Sequence, residues 1–128
     1  MQYGYFDNEK REYVIDNVAL PCSWTNYLGV EDMAAFINHT AGGYLFYKTP
    51  EYHRISRFRG NGVPMDRPGF YVYIRDYHSI SWQPVAKDLS KAKYRCRHGL
   101  SYTVYESEYD GLASSQTMVI PRGENVLL

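Results

Sequence analysis

Cysteine is scarce in this chain: Cys22 and Cys96 are the only two among 128 residues. Two thiols make no disulfide framework, and no basic stretch followed by an apolar one opens the chain to mark secretion, so both are expected to stay reduced in the cytoplasm. Long apolar runs are missing as well; the longest are a few residues, far short of the roughly 20 needed to cross a bilayer as a helix. Charge of one sign is not in excess, because 14 Lys and Arg face 14 Asp and Glu. That balance supplies no field for nucleic acid or an anionic membrane surface, and neither is expected as a partner. The four histidines, His39, His53, His78 and His98, stand apart with no thiol or carboxylate at zinc-ligand spacing, so no metal is expected. Asn38-His39-Thr40 spells a glycosylation sequon, which without secretion reads as coincidence.

Tyrosine is abundant, with 14 residues and an aromatic share of 16%. Its ring packs on a pleated surface while its hydroxyl reaches water or a partner, so it suits half-buried strands. Tyr3 to Phe6 and Glu12 to Ile15 flank the polar break Asp7-Asn8-Glu9-Lys10 and read as a hairpin. Tyr44 to Lys48 forms a strand after Ala41-Gly42-Gly43, and Phe70 to Arg75 is a run of β-formers after a turn-rich loop over 59–69. Lys91 to His98 alternates basic and other residues, the period of a strand with one solvated positive face. Ser101 to Tyr109 and Leu112 to Ile120 are joined by Asp110-Gly111, a strong short hairpin signal. In that hairpin Thr103, Tyr105, Leu112 and Met118 share one face and Tyr102, Val104, Ala113 and Val119 the other; with apolar residues on both, it is expected between two layers or against another domain. Val30 to Ile37 carries helix formers and early acids, and is read as a brief helical turn leading into a strand from about Ala35 to His39. The fold class is all-β, an antiparallel β-sandwich with at most one short helical turn, and residues 1–128 form one domain or part of one without an internal boundary.

A catalytic site is harder to find. Asp66, Asp76, Glu106, Glu108 and Asp110 fall in turns or on exposed strand positions, so none makes the facing carboxylate pair of a glycosidase. No Gly-x-Ser-x-Gly elbow occurs, and Cys96 with His98, two residues apart on one strand face, reads as structural. Gly60-x-Gly62 lacks the helix and basic residue of a phosphate loop. Trp24 and Trp82, with the neighbouring Tyr27 and Gln83, are the candidates for carbohydrate contact, since aromatic faces stack on sugar rings; a sandwich tryptophan is more often a core residue.

Several stretches together carry a resemblance. They are Tyr3-Gly4-Tyr5-Phe6-Asp7, Arg11-Glu12-Tyr13-Val14-Ile15, Trp24-Thr25-Asn26-Tyr27-Leu28-Gly29, Thr40-Ala41-Gly42-Gly43-Tyr44-x-Phe46-Tyr47 and Arg54-Ile55-x-Arg57-Phe58. Pro64-Met65-Asp66-Arg67-Pro68-Gly69, Ser81-Trp82-Gln83-Pro84-Val85, Arg97-His98-Gly99-Leu100-Ser101-Tyr102-Thr103 and Val119-Ile120-Pro121-x-Gly123-Glu124-Asn125 complete them. In this order the chain resembles the N-terminal region of the inverting disaccharide phosphorylases of glycoside hydrolase family 94, the cellobiose and chitobiose phosphorylases. Ser79-Ile80-Ser81-Trp82-Gln83-Pro84-Val85-Ala86-Lys87 leans toward the chitobiose branch.

The resemblance implies cleavage of a β-linked disaccharide by inorganic phosphate, as co-substrate in place of any cofactor, into an α-sugar 1-phosphate and a free sugar. It also implies that the general acid, an aspartate, and the phosphate-binding groups lie in a downstream helical barrel, so no catalytic residue is assigned here. The expected role is packing and subunit assembly within a glycosyltransferase-type phosphorylase. Its expected partners are the downstream phosphorylase domains or a second copy of the chain, with carbohydrate as ligand and a homo-oligomer, a dimer, as the assembly. The apolar end Asn125-Val126-Leu127-Leu128 reads as the start of a strand, which favours a fragment over a self-contained module. The alternative is a stand-alone carbohydrate-binding module using exposed Trp and Tyr.

Overall fold

A computed structural model of the chain describes residues 2–17, 20–56, 69–75, 81–82, 93–109 and 111–128, with 81 and 82 described by backbone alone. Ten strands are found among them: β1 (Gly4–Asp7), β2 (Glu12–Ile15), β3 (Thr25–Leu28), β4 (Met33–Asn38), β5 (Gly43–Tyr47), β6 (Ile74–Arg75), β7 (Ser81–Trp82), β8 (Lys93–His98), β9 (Tyr102–Tyr109) and β10 (Leu112–Val119). They form a five-stranded antiparallel sheet in the order β1-β2-β8-β9-β10, a three-stranded sheet β3-β4-β5 and a two-stranded ribbon β6-β7.

Local chemistry places the turns. Asp7 Oδ1 accepts from the backbone N–H groups of Glu9 and Lys10, so the carboxylate builds the β1–β2 turn. Tyr109 pairs with Leu112, and Gly111 takes the positive φ of 77° that so tight a connection requires. Between β4 and β5, buried Asn38 turns the chain: its Oδ1 accepts from the N–H groups of Thr40 and Gly42 and from the Thr40 hydroxyl. Gly43, at φ 150°, pairs with Ile37 so closely that a Cβ would run into the Phe36 carbonyl oxygen.

The core lies between the two larger sheets. Ile15, Tyr94, Cys96, Tyr105 and Met118 from the five-stranded sheet meet Leu28, Met33, Ala35 and Ile37 from the three-stranded one. Polar bonds tie the layers as well. The Tyr105 hydroxyl, buried with its residue, donates to the Asn38 carbonyl at 2.7 Å, and the Asn26 amide donates to the Gly99 and Tyr102 carbonyls and to Thr103 Oγ1. The sandwich expected from the strand pattern is present.

Three local expectations need adjustment, and one strand went unread. No helical turn precedes β4; the strand starts at Met33, and Met33, Ala35 and Ile37 are buried at every second position. The early acids serve elsewhere, Asp32 accepting from the Tyr47 hydroxyl and Glu31 from the Gly123 N–H. In the run Phe70 to Arg75 only Ile74 and Arg75 join a ladder; Phe70 is drawn to the core instead, its N–H bonded to the Ala41 carbonyl. The β9–β10 hairpin has the two expected faces, but its second face is apolar and buried only at Val104, while Ala113, Ser115 and Thr117 are exposed. Strand β3 carried no clear sequence signal, because Thr25-Asn26-Tyr27-Leu28 mixes polar and apolar residues.

Candidate functional site

The candidate sugar contacts do not converge. Successive residues of β3 point to opposite faces, and the register puts Asn26 and Leu28 toward the core and Tyr27 outward. Trp24 packs against the core side, its indole 4.8 Å from the Tyr13 ring, which in turn meets Phe6 edge-on at 4.7 Å. Its backbone is held by His39: the Trp24 N–H donates to His39 Nδ1 and the Trp24 carbonyl accepts from the His39 N–H. Tyr27 is 60% exposed on the opposite face. Trp82 lies in β7 opposite Ile74, and Gln83 falls outside the described residues, as do Asp66, Asp76 and Asp110.

Around Tyr27 the outer face of the three-stranded sheet carries a row of rings that sequence reading did not assemble. Tyr27, Phe36 and Tyr44 are cross-strand neighbours. Tyr27 meets Phe36 edge-on at 5.4 Å, Phe36 stacks on Tyr44 at 5.3 Å and 19°, and Tyr44 meets Phe46 at 5.8 Å. The Arg54 guanidinium sits 4.2 Å from the Tyr44 ring centre. Ring faces in this row are therefore largely spent on one another and on a cation, which stabilises the sheet. Tyr27, at the end of the row, is its most open member.

Cys96 and His98 meet on the inner face of β8. The Cys96 sulfur is 3.7 Å from His98 Nε2, and His98 Nδ1 is 3.0 Å from Thr103 Oγ1. Burial pushes the Cys96 thiol up to about 12 and the His98 imidazole down to about 4. Burial likewise raises the Tyr94 and Tyr105 hydroxyls well above the ordinary phenol range. The thiol stays protonated and the imidazole neutral at physiological pH, so the pair fills space and shares polar contacts without supplying a nucleophile.

On the outer face of the same sheet the basic stripe of β8 is matched by acids. Arg97 reaches two carboxylates, Glu106 at 2.8 Å and Glu12 at 3.5 Å, and the Tyr102 hydroxyl donates to Glu12 Oε1 at 2.6 Å. Glu12 is only 3% exposed. Its hydrogen bond holds the Tyr102 phenol above its usual range. Further along, Lys93 pairs with Glu108 at 3.0 Å. Glu106 and Glu108, which the sequence already argued against as a catalytic carboxylate pair, are ion-paired to Arg97 and Lys93 here. Glu12 and its clamp were missed; the available signal was the single period-two basic run, and nothing in the sequence says that β2 lies beside β8. Among the described residues no group of three His, Cys, Asp or Glu side chains could hold a metal ion.

The sequence model of the family described as glycosyl hydrolase 94, supersandwich domain, matches residues 11–128. The chain is 53% identical to N,N'-diacetylchitobiose phosphorylase of Vibrio proteolyticus and 51% identical to that of Vibrio furnissii, each over 98% of this chain. It is 32% identical to 3-O-beta-D-glucopyranosyl-beta-D-glucuronide phosphorylase of Paenibacillus borealis over 94% of the chain. In the two Vibrio proteins the matched region is 16% of the length, and in the Paenibacillus protein 15%. With strands, two facing antiparallel sheets and this match in agreement, the chain belongs to the supersandwich-domain family of glycosyl hydrolase 94.

Proposed function

We propose that this chain is the N-terminal supersandwich portion of a cytoplasmic phosphorylase that splits N,N'-diacetylchitobiose with inorganic phosphate, and that this portion serves packing and subunit assembly. The observation that carries the substrate is the whole-chain identity of 53% and 51% to two diacetylchitobiose phosphorylases, against 32% to a relative named for a different disaccharide. The scaffold role is supported by the state of the reactive groups. Cys96 and His98 are buried with shifted proton affinities, and Glu12 and Glu106 are clamped by Arg97. Such groups hold a fold; the general acid and the phosphate site belong to the remaining length of the enzyme. The assembly we propose is a homodimer.

The test is a phosphorolysis assay on the full-length protein read from the intact reading frame, beside the 128-residue chain. The full-length protein should release sugar 1-phosphate from diacetylchitobiose only when phosphate is present, and the short chain should release none. An inactive full-length protein, or turnover by the short chain, overturns the reading.

A second reading is direct carbohydrate contact at the open end of the aromatic row, favoured by the exposure of Tyr27. Calorimetric titration of the short chain with diacetylchitobiose decides it. Saturable micromolar binding that disappears in Tyr27→Ala supports the contact, and equal binding in both forms refutes it.

A further inference from the structure

Strand β10 borders the five-stranded sheet, and among the described residues no strand pairs with its outer edge. It is eight residues long, Leu-Ala-Ser-Ser-Gln-Thr-Met-Val, with no charged residue and no proline. Those are the devices by which proteins ordinarily keep an exposed strand from recruiting another. The other borders differ. Strands β1 and β3 have four residues each, and β5 is covered by residues 53–56, which bond to Leu45 and Tyr47 and bridge Phe46 to Arg54.

The backbone shows which groups of β10 face outward. In an antiparallel ladder, the N–H and C=O of one residue point to the same side and those of the next residue to the other. Val119 spends both on Leu128: its N–H donates to the Leu128 carbonyl at 3.0 Å, and its carbonyl accepts from the Leu128 N–H at 2.9 Å. Val119 therefore faces away from β9. Its partner Tyr102 agrees, because the Tyr102 carbonyl accepts from the Gly99 N–H on the β8 side. The β9–β10 register runs without interruption from Val119 to Leu112, so Thr117, Ser115 and Ala113 also direct their backbone groups outward, while Met118, Gln116, Ser114 and Leu112 bond to β9.

The chain already returns toward that edge. After β10 a turn at Arg122 and Gly123, with φ 82° at Gly123, brings Leu127 onto the core and Leu128 into the mutual pair with Val119. The Gly123 N–H is held by Glu31. We propose that the outer edge of β10 is the docking edge for the polypeptide that continues beyond Leu128 in the full-length protein. That segment adds a sixth strand, antiparallel to β10, in the register set by Leu128 opposite Val119. The second, fourth and sixth residues after Leu128 then bond to Thr117, Ser115 and Ala113. The proposal rests on the reading of this chain as part of a longer phosphorylase, whose relatives extend well beyond the matched region.

Residue-resolved hydrogen exchange on the full-length protein, beside the 128-residue chain, tests it. In the full-length protein the amides of Ala113, Ser115 and Thr117 should exchange at least about 100-fold more slowly than in the short chain. Those of Ser114, Gln116 and Met118 should be protected in both. Ser115→Pro, which removes an outward donor and leaves the bonds to β9, should lower the unfolding midpoint of the full-length protein much more than that of the short chain. Fast exchange at the three outward amides in the full-length protein overturns the proposal, as does a reading frame that stops at Leu128. Protection in the short chain that grows with protein concentration also overturns it, by giving the edge to a second copy. Phosphorolysis measured on the same sample separates the two readings: an active enzyme with fast outward amides defeats only the added strand, and an inactive one with protected amides defeats only the assigned reaction.

Discussion

The two sheets share a core but finish their outer faces in different ways. The five-stranded sheet covers its outside with charge: Glu12, Arg97 and Glu106 in one cluster and Lys93 with Glu108 in another. The three-stranded sheet covers its outside with rings, in the row Tyr27, Phe36, Tyr44 and Phe46. The ring row is local, since all its members come from one stretch of consecutive strands, and ring contacts are insensitive to salt. The charged cluster joins β2 to β8 and β9, strands far apart in sequence, and the contribution of its exposed members fades as ions screen them. One sheet is thus held by neighbours alone, the other also by one distant pairing, β2 with β8.

The shared core gives the largest expected effect. Ile37→Ala should cost about 3 kcal/mol of unfolding free energy in denaturant titration, because the fully buried side chain contacts both layers. A cost below about 1 kcal/mol would mean that the sheets do not depend on one another.

Next comes the charged face. Arg97→Met leaves Glu12 buried without its cation, and a loss of about 2 kcal/mol is expected; this is below the range for fully buried pairs because Arg97 is partly exposed. Adding Glu12→Gln should recover part of it. If the single and double variants are equally unstable, the clamp matters through packing alone.

Acid should act through the five-stranded sheet too. His98 has a folded-state value of about 4 against an ordinary 6.5. The unfolded chain therefore takes up a proton first, and stability falls as pH drops from about 6.5 toward 4, with no contribution from this group above that window. The loss at pH 5 relative to pH 8 should be about 2 kcal/mol from this residue. His98→Gln should flatten that part of the profile in urea titrations at the two pH values; an unchanged slope would remove His98 as its origin.

The smallest effects distinguish the two surfaces directly. Lys93→Ala and Tyr27→Ala should each change stability by less than about 1 kcal/mol. The Lys93 effect should vanish in 1 M salt and the Tyr27 effect should persist. Equal salt responses would erase the contrast between the faces.

Much of this architecture was legible in the sequence. The Asp110-Gly111 hairpin, its face assignment and the β1–β2 hairpin follow from turn chemistry and period-two alternation, which act over a few residues. Strand β8 was legible for the same reason, and its basic residues do lie on the solvent side at Lys93 and Arg95. The helical turn before β4 is suggested by Glu31 and Asp32, which resemble helix-start acids but are bound to the turn at Gly123 and to Tyr47 of β5. The site was less legible than the fold. Trp24 reads from the sequence as a sugar platform, because a tryptophan beside polar residues fits a loop, or as the commoner core residue, and its packing on Tyr13 shows the ring on the core side. Glu12 was invisible as a buried acid because its partners, Arg97 and Tyr102, are brought to it only by the pairing of β2 with β8.

That pairing also sets a timetable. Ile15 lies opposite Cys96, about eighty residues later in the chain. During synthesis at about 5–20 residues per second, the β1–β2 hairpin emerges and then waits several seconds for its neighbour to be made. Strands β3, β4 and β5 need no such delay, since each bonds to the next and short loops close quickly. The aromatic sheet is expected to assemble first on the ribosome, with the opening hairpin held in reserve until β8 arrives. A stall in translation between β5 and β8 would leave Val14 and Ile15 uncovered for as long as it lasts, and that interval is when a chaperone would have the most to bind.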